Sequence, residues 1–279
     1  MSFPKHVITQ WQERLKHLYT EREVSNMFYV VLEDVFTLKK SDILLNQSLG
    51  DDTVFLEKLN QILSRLESGE PVQQIIGFTY FDDLKIITTK DVLIPRPETE
   101  ELVHWIAETV QSAHRIVDYC SGSGCIAFAL KMHFPKAEVL GVELSDGALK
   151  CAQKNRIELQ LDVAFQQKDV LLENLGNGPW DIIVSNPPYI PQSEHSSMHT
   201  NVLEFEPHMA LFVDEDPLIF YTKIAQDALE SLSENGYLFF ELHENYALQV
   251  VEKLKELGFN KIELKTDLQG KNRMLKAQI

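Results

Sequence analysis

Hydrophobic positions recur at helical spacing from the start of the chain to about Gly69. Val7, Ile8, Trp11, Leu15 and Leu18 form one stripe, and Val24, Phe28, Val31, Leu32 and Val35 a second. A third comprises Leu56, Leu59, Ile62, Leu63 and Leu66, preceded by the cap candidates Asp51 and Asp52. Between them, Ser41 and Asp42 are placed to cap a short helical turn. Ser68-Gly69-Glu70-Pro71 stops the pattern, with glycine at the helix end and proline beyond it. The first 74 residues thus predict a small helical bundle, in which Trp11 and Phe28 read as core.

The period then shortens. Ile75 to Phe81 and Leu84 to Thr88 are two β-rich runs joined by Asp82-Asp83, which predicts a hairpin within a linking segment, 75–92. Leu93-Ile94-Pro95-Arg96-Pro97-Glu98-Thr99-Glu100 follows, with Pro97 at the first position of a helix and Leu102, Val103, Ile106 and Val110 on its buried stripe. Capping explains the glutamates but not the Pro-Arg-Pro. From Arg115 the two periods alternate. Strands are expected near 115–119, 138–143, 163–168, 181–185, 237–242, 261–266 and 272–277, and helices near 125–133, 145–156, 217–233 and 244–257, with Gly236 as a helix stop. Such alternation over 93–279 argues for an α/β, doubly wound sheet. The last two strands are too close in sequence for a parallel crossover and should pair antiparallel.

Composition narrows the partners. A formal charge of −16 without a Lys/Arg cluster disfavours nucleic acid and suits a protein partner with a basic surface. An apolar run long enough to span a membrane is lacking, as is a secretory leader, so no membrane association is expected. Three cysteines fit a reducing compartment, and the cytoplasm is the expected location. Cys120 and Cys125 match no zinc spacing, and His195 and His199 have no third ligand nearby, so no metal is expected.

Two stretches carry chemistry. Trp180 to Val184 reads as a buried parallel strand, and Ser185-Asn186-Pro187-Pro188-Tyr189-Ile190-Pro191 must leave the sheet at its carboxyl end, because two prolines preclude helix and ladder alike. Such a loop suits a substrate with a planar NH2 group. Its nitrogen is a poor nucleophile, and the Asn186 side-chain oxygen and Pro187 carbonyl could each accept one N–H while Tyr189 stacks on the plane. A plain proline turn is the alternative.

The second stretch, Asp118-Tyr119-Cys120-Ser121-Gly122-Ser123-Gly124, is a strand end and glycine turn, with Glu143 ending the next strand at the spacing of an acid that holds ribose hydroxyls. Gly122, Gly124 and Ala127 also satisfy a dinucleotide fingerprint, so an NAD-dependent oxidoreductase is a rival. Asp118 speaks against it, since a carboxylate there favours the amino group of S-adenosylmethionine over a pyrophosphate. Asp169 could accept from an adenine amine, with Val170 packed on the ring.

These motifs, with Phe205-Glu206-Pro207 and Asp267-x-x-Gly270-x-x-Arg273, resemble the release-factor glutamine N5-methyltransferases, the HemK/PrmC family, from about Gly69 to Arg273. Asn-Pro-Pro-Tyr alone is shared with adenine N6-methyltransferases; its combination with Pro-Arg-Pro-Glu-Thr-Glu is more specific. The resemblance implies a seven-stranded, Rossmann-like methyltransferase sheet behind a helical domain that helps grip the release factor. It implies methyl transfer from S-adenosylmethionine to the glutamine of a Gly-Gly-Gln tip. Asn186, Pro187 and Tyr189 would be catalytic, and with Pro188 would bind the glutamine. Asp118, Cys120, Ser121, Gly122, Ser123, Gly124, Glu143, Asp169, Val170 and Asn186 would hold the cofactor. Cys120 and His243 stand where members usually carry glycine, His243 at a position expected beside the cofactor. An adenine N6-methyltransferase and a catalytically idle binding module are the alternatives.

Overall fold

The computed structural model describes residues 5–39, 41, 52–174, 176, 178–197 and 200–279. The expected caps Asp42 and Asp51 lie outside the described residues. The chain divides into two compact units, Met1–Gly77 with Thr200–Phe205, and Phe78–His199 with Glu206–Ile279.

The first unit is helical: α1 (Lys5–Leu15), α2 (Glu21–Phe36), α3 (Asp52–Glu67) and the short α4 (Val72–Ile76). Thr20 opens α2 with a capping box, its hydroxyl accepting the Glu23 amide while the Glu23 carboxylate accepts the Thr20 amide. Trp11 and Phe28 meet edge to face at the centre, 5.1 Å apart, and Arg14 pairs with Glu67 to tie α1 to α3. The expected stripes form this core with two corrections: Leu18 lies outside it, and Leu56 is 38% exposed, with Phe55 packed inward in its place. A later segment, Thr200–Phe205, belongs here too. Asn201 donates to the Tyr19 hydroxyl at 2.6 Å, and Gln74 donates to the Phe205 carbonyl at 2.7 Å.

In the second unit, β1 (Phe78–Phe81) and β2 (Leu84–Ile87) form the expected hairpin, with Asp82 and Asp83 at φ 47° and 61°. It starts later than Ile75 because Ile75 and Ile76 finish α4, closed by Gly77. Helix α5 (Pro97–Thr109) is followed by β3 (Arg115–Tyr119), α6 (Cys125–His133), β4 (Glu138–Glu143), α7 (Asp146–Leu159), β5 (Ala164–Gln167) and β6 (Trp180–Ser185). After β6 come β7 (Ile190–Pro191), the Thr200–Phe205 helix as α8, α9 (His208–Leu211) and β8 (Phe212–Val213). Helix α10 (Ile219–Ser231), β9 (Leu232–Glu241), α11 (Ala247–Leu257), β10 (Asn260–Thr266) and β11 (Asn272–Gln278) complete the chain.

The main sheet has seven strands in the order β10-β11-β9-β6-β3-β4-β5. Its strands run parallel except β11, which is antiparallel to β9 and β10. Buried side chains cover both faces, with Ile116 on one and Val117 and Tyr119 on the other, as strand alternation requires. Two expectations fail locally. Gly236 does not stop a helix: α10 ends at Ser231, and Gly236 lies in β9 where the register against β6 shifts. A Cβ there would meet the Trp180 carbonyl oxygen at 2.8 Å, so close backbone approach demands glycine. The chain after the proline pair leaves the main sheet as expected, but Ile190 and Pro191 then pair with Phe212 and Val213 in a separate parallel ladder.

Asn155 on α7 is fully buried and joins two layers. Its side-chain oxygen accepts the Ile87 amide at 2.7 Å, and its amino group donates to the Ser123 carbonyl at 3.0 Å. Asn155→Ala would strand these groups in the core, and should lower stability by roughly 2–3 kcal/mol. Urea denaturation is the measurement; an unchanged midpoint would show that the tether is dispensable.

Candidate active site

Strand β3 has β4 on one side and β6 on the other, so successive connections leave it in opposite directions and open a crevice at the carboxyl ends. An open cleft lies there, with about 1140 Å³ of empty space including its mouth. One wall is the turn between β3 and α6. Cys120, Ser121, Gly122 and Ser123 line it, and among the described residues the buried Ser121 and Ser123 hydroxyls have no hydrogen-bond partner. Gly124 is at φ +82°, and a Cβ would meet the Phe128 ring at 2.7 Å, so this position needs glycine on two counts.

Glu143 ends β4 on the same wall. Its carboxylate accepts the amides of Gly122 at 2.8 Å, Leu144 at 2.9 Å and Ser145 at 2.8 Å, which fixes its orientation. Asp169 uses one oxygen to accept the Leu171 amide at 2.9 Å, and among the described residues no donor reaches the other. Val170 lines the cleft beside it. Unpartnered hydroxyls, an oriented carboxylate and a free acceptor over an apolar floor fit a nucleoside with a polar tail.

Asp118 requires correction. It lies on the Ile116 face of β3 and does not line the cleft; both its oxygens are buried, with no side-chain partner among the described residues. Burial pushes its carboxyl well above the usual carboxylate range, and nearby Glu143 adds to this against the Ala127 amide. Because it does not line the cleft, Asp118 is not placed to act as counter-ion to an ammonium group bound there. Gly124 likewise lies off the cleft, facing Phe128 and Phe165.

The opposite wall carries Asn186 and Pro188. Pro187 is buried, and Tyr189 is not on the cleft surface. Instead the Tyr189 hydroxyl lies 3.5 Å from Glu241 Oε1, and its ring meets His243 edge-on at 5.6 Å. Glu241, at the end of β9, is 2% exposed and accepts the Thr99 hydroxyl at 2.6 Å. Asn186 Nδ2 in turn donates to Thr99 Oγ1 at 3.3 Å. This network assigns the Asn186 amide. An ionised Glu241 can only accept, so the Thr99 hydroxyl donates to it and must accept from the Asn186 amino group. The Asn186 oxygen is then left over, and no donor among the described residues reaches it.

Thr99 and Glu241 were not singled out from sequence as site residues. Thr99 had a signal, since it lies inside the Pro-Arg-Pro-Glu-Thr-Glu run; Glu241 had none beyond its place at a strand end. Arg96 caps no helix through its side chain but pairs with Glu206, whose other oxygen accepts the Ile94 amide at 3.3 Å. The Pro-Arg-Pro and Phe-Glu-Pro motifs are thereby one buried clamp on the cleft rim.

Residues 98–206 match the Methyltransferase small domain, and residues 6–77 match the PrmC N-terminal domain. The release factor glutamine methyltransferase of Flavobacterium psychrophilum is 41% identical over 279 residues, which covers 98% of each chain. The chain belongs to the release factor glutamine methyltransferase family. A second member, from Bacteroides thetaiotaomicron, is 36% identical over 95% of this chain and 96% of its own. Among solved structures, the hMettl16 catalytic domain in complex with MAT2A 3'UTR hairpin 1 shares the fold, with a TM-score of 0.57 at 16% identity, covering 74% of this chain and 75% of that one. None of these relatives supports an oxidoreductase.

Within this methyltransferase family frame, the departures acquire physical meaning. Cys120 sits at φ 58°, a left-handed conformation that a Cβ disfavours. His243 is not on the cleft; it packs between Tyr189 and Tyr246, with Nε2 3.4 Å from Glu194.

Burial raises the Glu241 carboxyl to about 7, opposed by the Thr99 hydrogen bond and Arg273. The folded chain thus binds this proton more tightly than the unfolded chain, where the ordinary value is 4.5. Its stabilisation is full below about 4.5 and is lost as pH rises through about 7. Glu241→Gln should remove this dependence. Urea midpoints of both proteins across that window should converge or diverge with pH, and parallel curves would refute the shift. Cys120→Gly should relieve backbone strain and raise stability by roughly 1 kcal/mol in the same assay.

Proposed function

We propose that this chain transfers the methyl group of S-adenosylmethionine to the side-chain amide nitrogen, N5, of the glutamine in the Gly-Gly-Gln motif of peptide chain release factors. The observation that carries the reading is Asn186, held on the cleft wall with its amino group taken by Thr99 and its oxygen unpartnered. Relatives at 41% and 36% identity are named release factor glutamine methyltransferases, which supports the same substrate.

S-adenosylmethionine, when bound, supplies a methyl group on a positively charged sulfur. Ser121, Ser123, Glu143, Asp169 and Val170 would hold it, with Cys120 and Gly122 shaping the turn. The Asn186 oxygen and the Pro187 carbonyl accept the two N–H groups of the glutamine amide. Accepting both pushes electron density toward nitrogen and aims its lone pair, and such orientation lowers barriers by about 7–11 kcal/mol in favourable cases. Tyr189 acts through Glu241 as a positioning residue; its place off the cleft surface argues against stacking on the substrate. A strong base at the nitrogen is unnecessary if the proton leaves after methyl transfer.

Selection of one glutamine requires contacts remote from the chemistry. The helical unit supplies a second surface for the release factor, and the net charge of −16 favours a basic protein partner over nucleic acid. No described helix is long and apolar enough to cross a membrane. The reading places the protein with its substrate in the cytoplasm.

Mass spectrometry of release factors incubated with the protein and S-adenosylmethionine should find one added methyl on the Gly-Gly-Gln peptide. Asn186→Ala should fold normally and lose about 10²-fold in turnover. Wild-type rates in that variant would dismiss the amide clamp. The rate should also rise with pH through about 7 as Glu241 ionises and orients Thr99, and Glu241→Gln should flatten that limb.

A further inference from the structure

Away from the cleft, three metal-ligating side chains converge from three elements. Asp82 occupies the tight turn between β1 and β2, His104 stands on α5, and His133 ends α6. His104 Nε2 is 2.8 Å from Asp82 Oδ1, and His133 Nε2 is 2.9 Å from Asp82 Oδ2. All three ligand atoms lie within 4.8 Å of one another, and the imidazole planes stand 84° apart. The Asp82 side chain is 13% exposed, His133 33% and His104 54%, so the cluster opens to solvent on the histidine side. No step of methyl transfer uses these residues.

We propose that Asp82, His104 and His133 form a binding site for a divalent transition-metal cation of the zinc type. Two imidazole nitrogens and a carboxylate oxygen are a ligand set for such ions, with a fourth position left for water. Calcium and magnesium are disfavoured, since they take oxygen ligands. In the metal-free arrangement each Nε2–H donates to one Asp82 oxygen. Metal binding at Nε2 of a neutral imidazole moves its one ring proton to Nδ1, so each ring stays neutral and its Nε2 lone pair goes to the ion.

The required movement is small. Metal–ligand bonds of about 2.0–2.1 Å in a tetrahedron place ligand atoms about 3.3 Å apart. The two histidines now face different Asp82 oxygens, at 2.8 and 2.9 Å, so one separation opens slightly and the other ring turns toward the shared ligand oxygen, with the three ligand atoms already within 4.8 Å of one another. The exposed His104 ring has room to swing, whereas the Asp82 backbone is anchored by its amide donating to Glu100 Oε1 at 3.1 Å. Bound metal would clip the hairpin turn to the middle of α5 and the end of α6.

The full-length chain, stripped with a chelator, tests this by calorimetric titration with Zn²⁺ and by visible absorption with Co²⁺. One equivalent should bind, Co²⁺ should give the intense bands of a tetrahedral site, and Zn²⁺ at a hundredfold excess over Kd should raise Tm by roughly 4–8 °C. His104→Ala and His133→Ala should each weaken binding by tenfold or more, and Asp82→Asn should do likewise. His195 and His208, whose rings lie 5.8 Å apart, provide the control pair. Their double alanine variant should bind as tightly as wild type. Metal-free melting curves establish that each variant is folded, and exposed His104 is the change that perturbs the fold least. Absence of binding to the intact chain overturns the site, as does unchanged binding in a folded His104→Ala,His133→Ala variant.

Discussion

A buried carboxylate organises the Asn186 wall of the cleft. Glu241 ends β9 with almost no exposure, which alone would make its negative charge costly. The Thr99 hydroxyl, the Tyr189 hydroxyl and the Arg273 guanidinium offset that cost from three directions. One consequence is directional. Because Glu241 takes the Thr99 proton, Thr99 must accept from Asn186, and Asn186 presents oxygen where its amino group would otherwise stand. Thr99 and Asn186 are 87 residues apart in sequence, yet the orientation of Asn186 depends on the acceptor that Glu241, at the end of β9, offers to Thr99.

The opposite wall depends on topology. Reversal of strand order at β3 sets the glycine turn, Glu143 and Asp169 on one bank of the crevice and the Asn186 loop on the other. Both banks are pinned from behind. Asn155 holds the glycine turn to β2, and the Arg96–Glu206 pair holds the chain before α5 to the segment after α8. At the far end, Asp267 accepts the amides of Gln269 and Lys271, each at 2.9 Å, and pairs with Arg273. Burial tends to raise the Asp267 carboxyl, but the Lys271 amide and Arg273 outweigh it and hold it below the ordinary carboxylate range. Arg273 also donates to the Leu242 carbonyl at 2.9 Å, which carries this turn back to Glu241.

Two polar groups that look alike in sequence thus have opposite fates. Asp118 and Glu241 both lie on buried strands, but among the described residues only Glu241 has side-chain partners. Burial holds the Asp118 carboxyl well above the usual carboxylate range, with the Ala127 amide opposing. The same burial keeps it off the cleft.

Periodicity, turn residues and proline placement were enough to locate the seven strands of the main sheet, the α/β class and the antiparallel final pair, because these follow from local sterics and burial of one face. The Asn186 loop and the glycine turn were legible for the same reason: each consists of residues whose backbone restrictions act over a few positions. Tertiary structure alone decided what depends on contacts between distant segments. It inserted β11 between β9 and β10, returned Thr200–Phe205 to the helical unit, and turned Asp118 inward and Tyr189 toward Glu241. It also joined Asp82, which is 22 residues from His104 and 51 from His133. No local preference encodes those meetings; they arise when packing decides which buried polar group finds which partner.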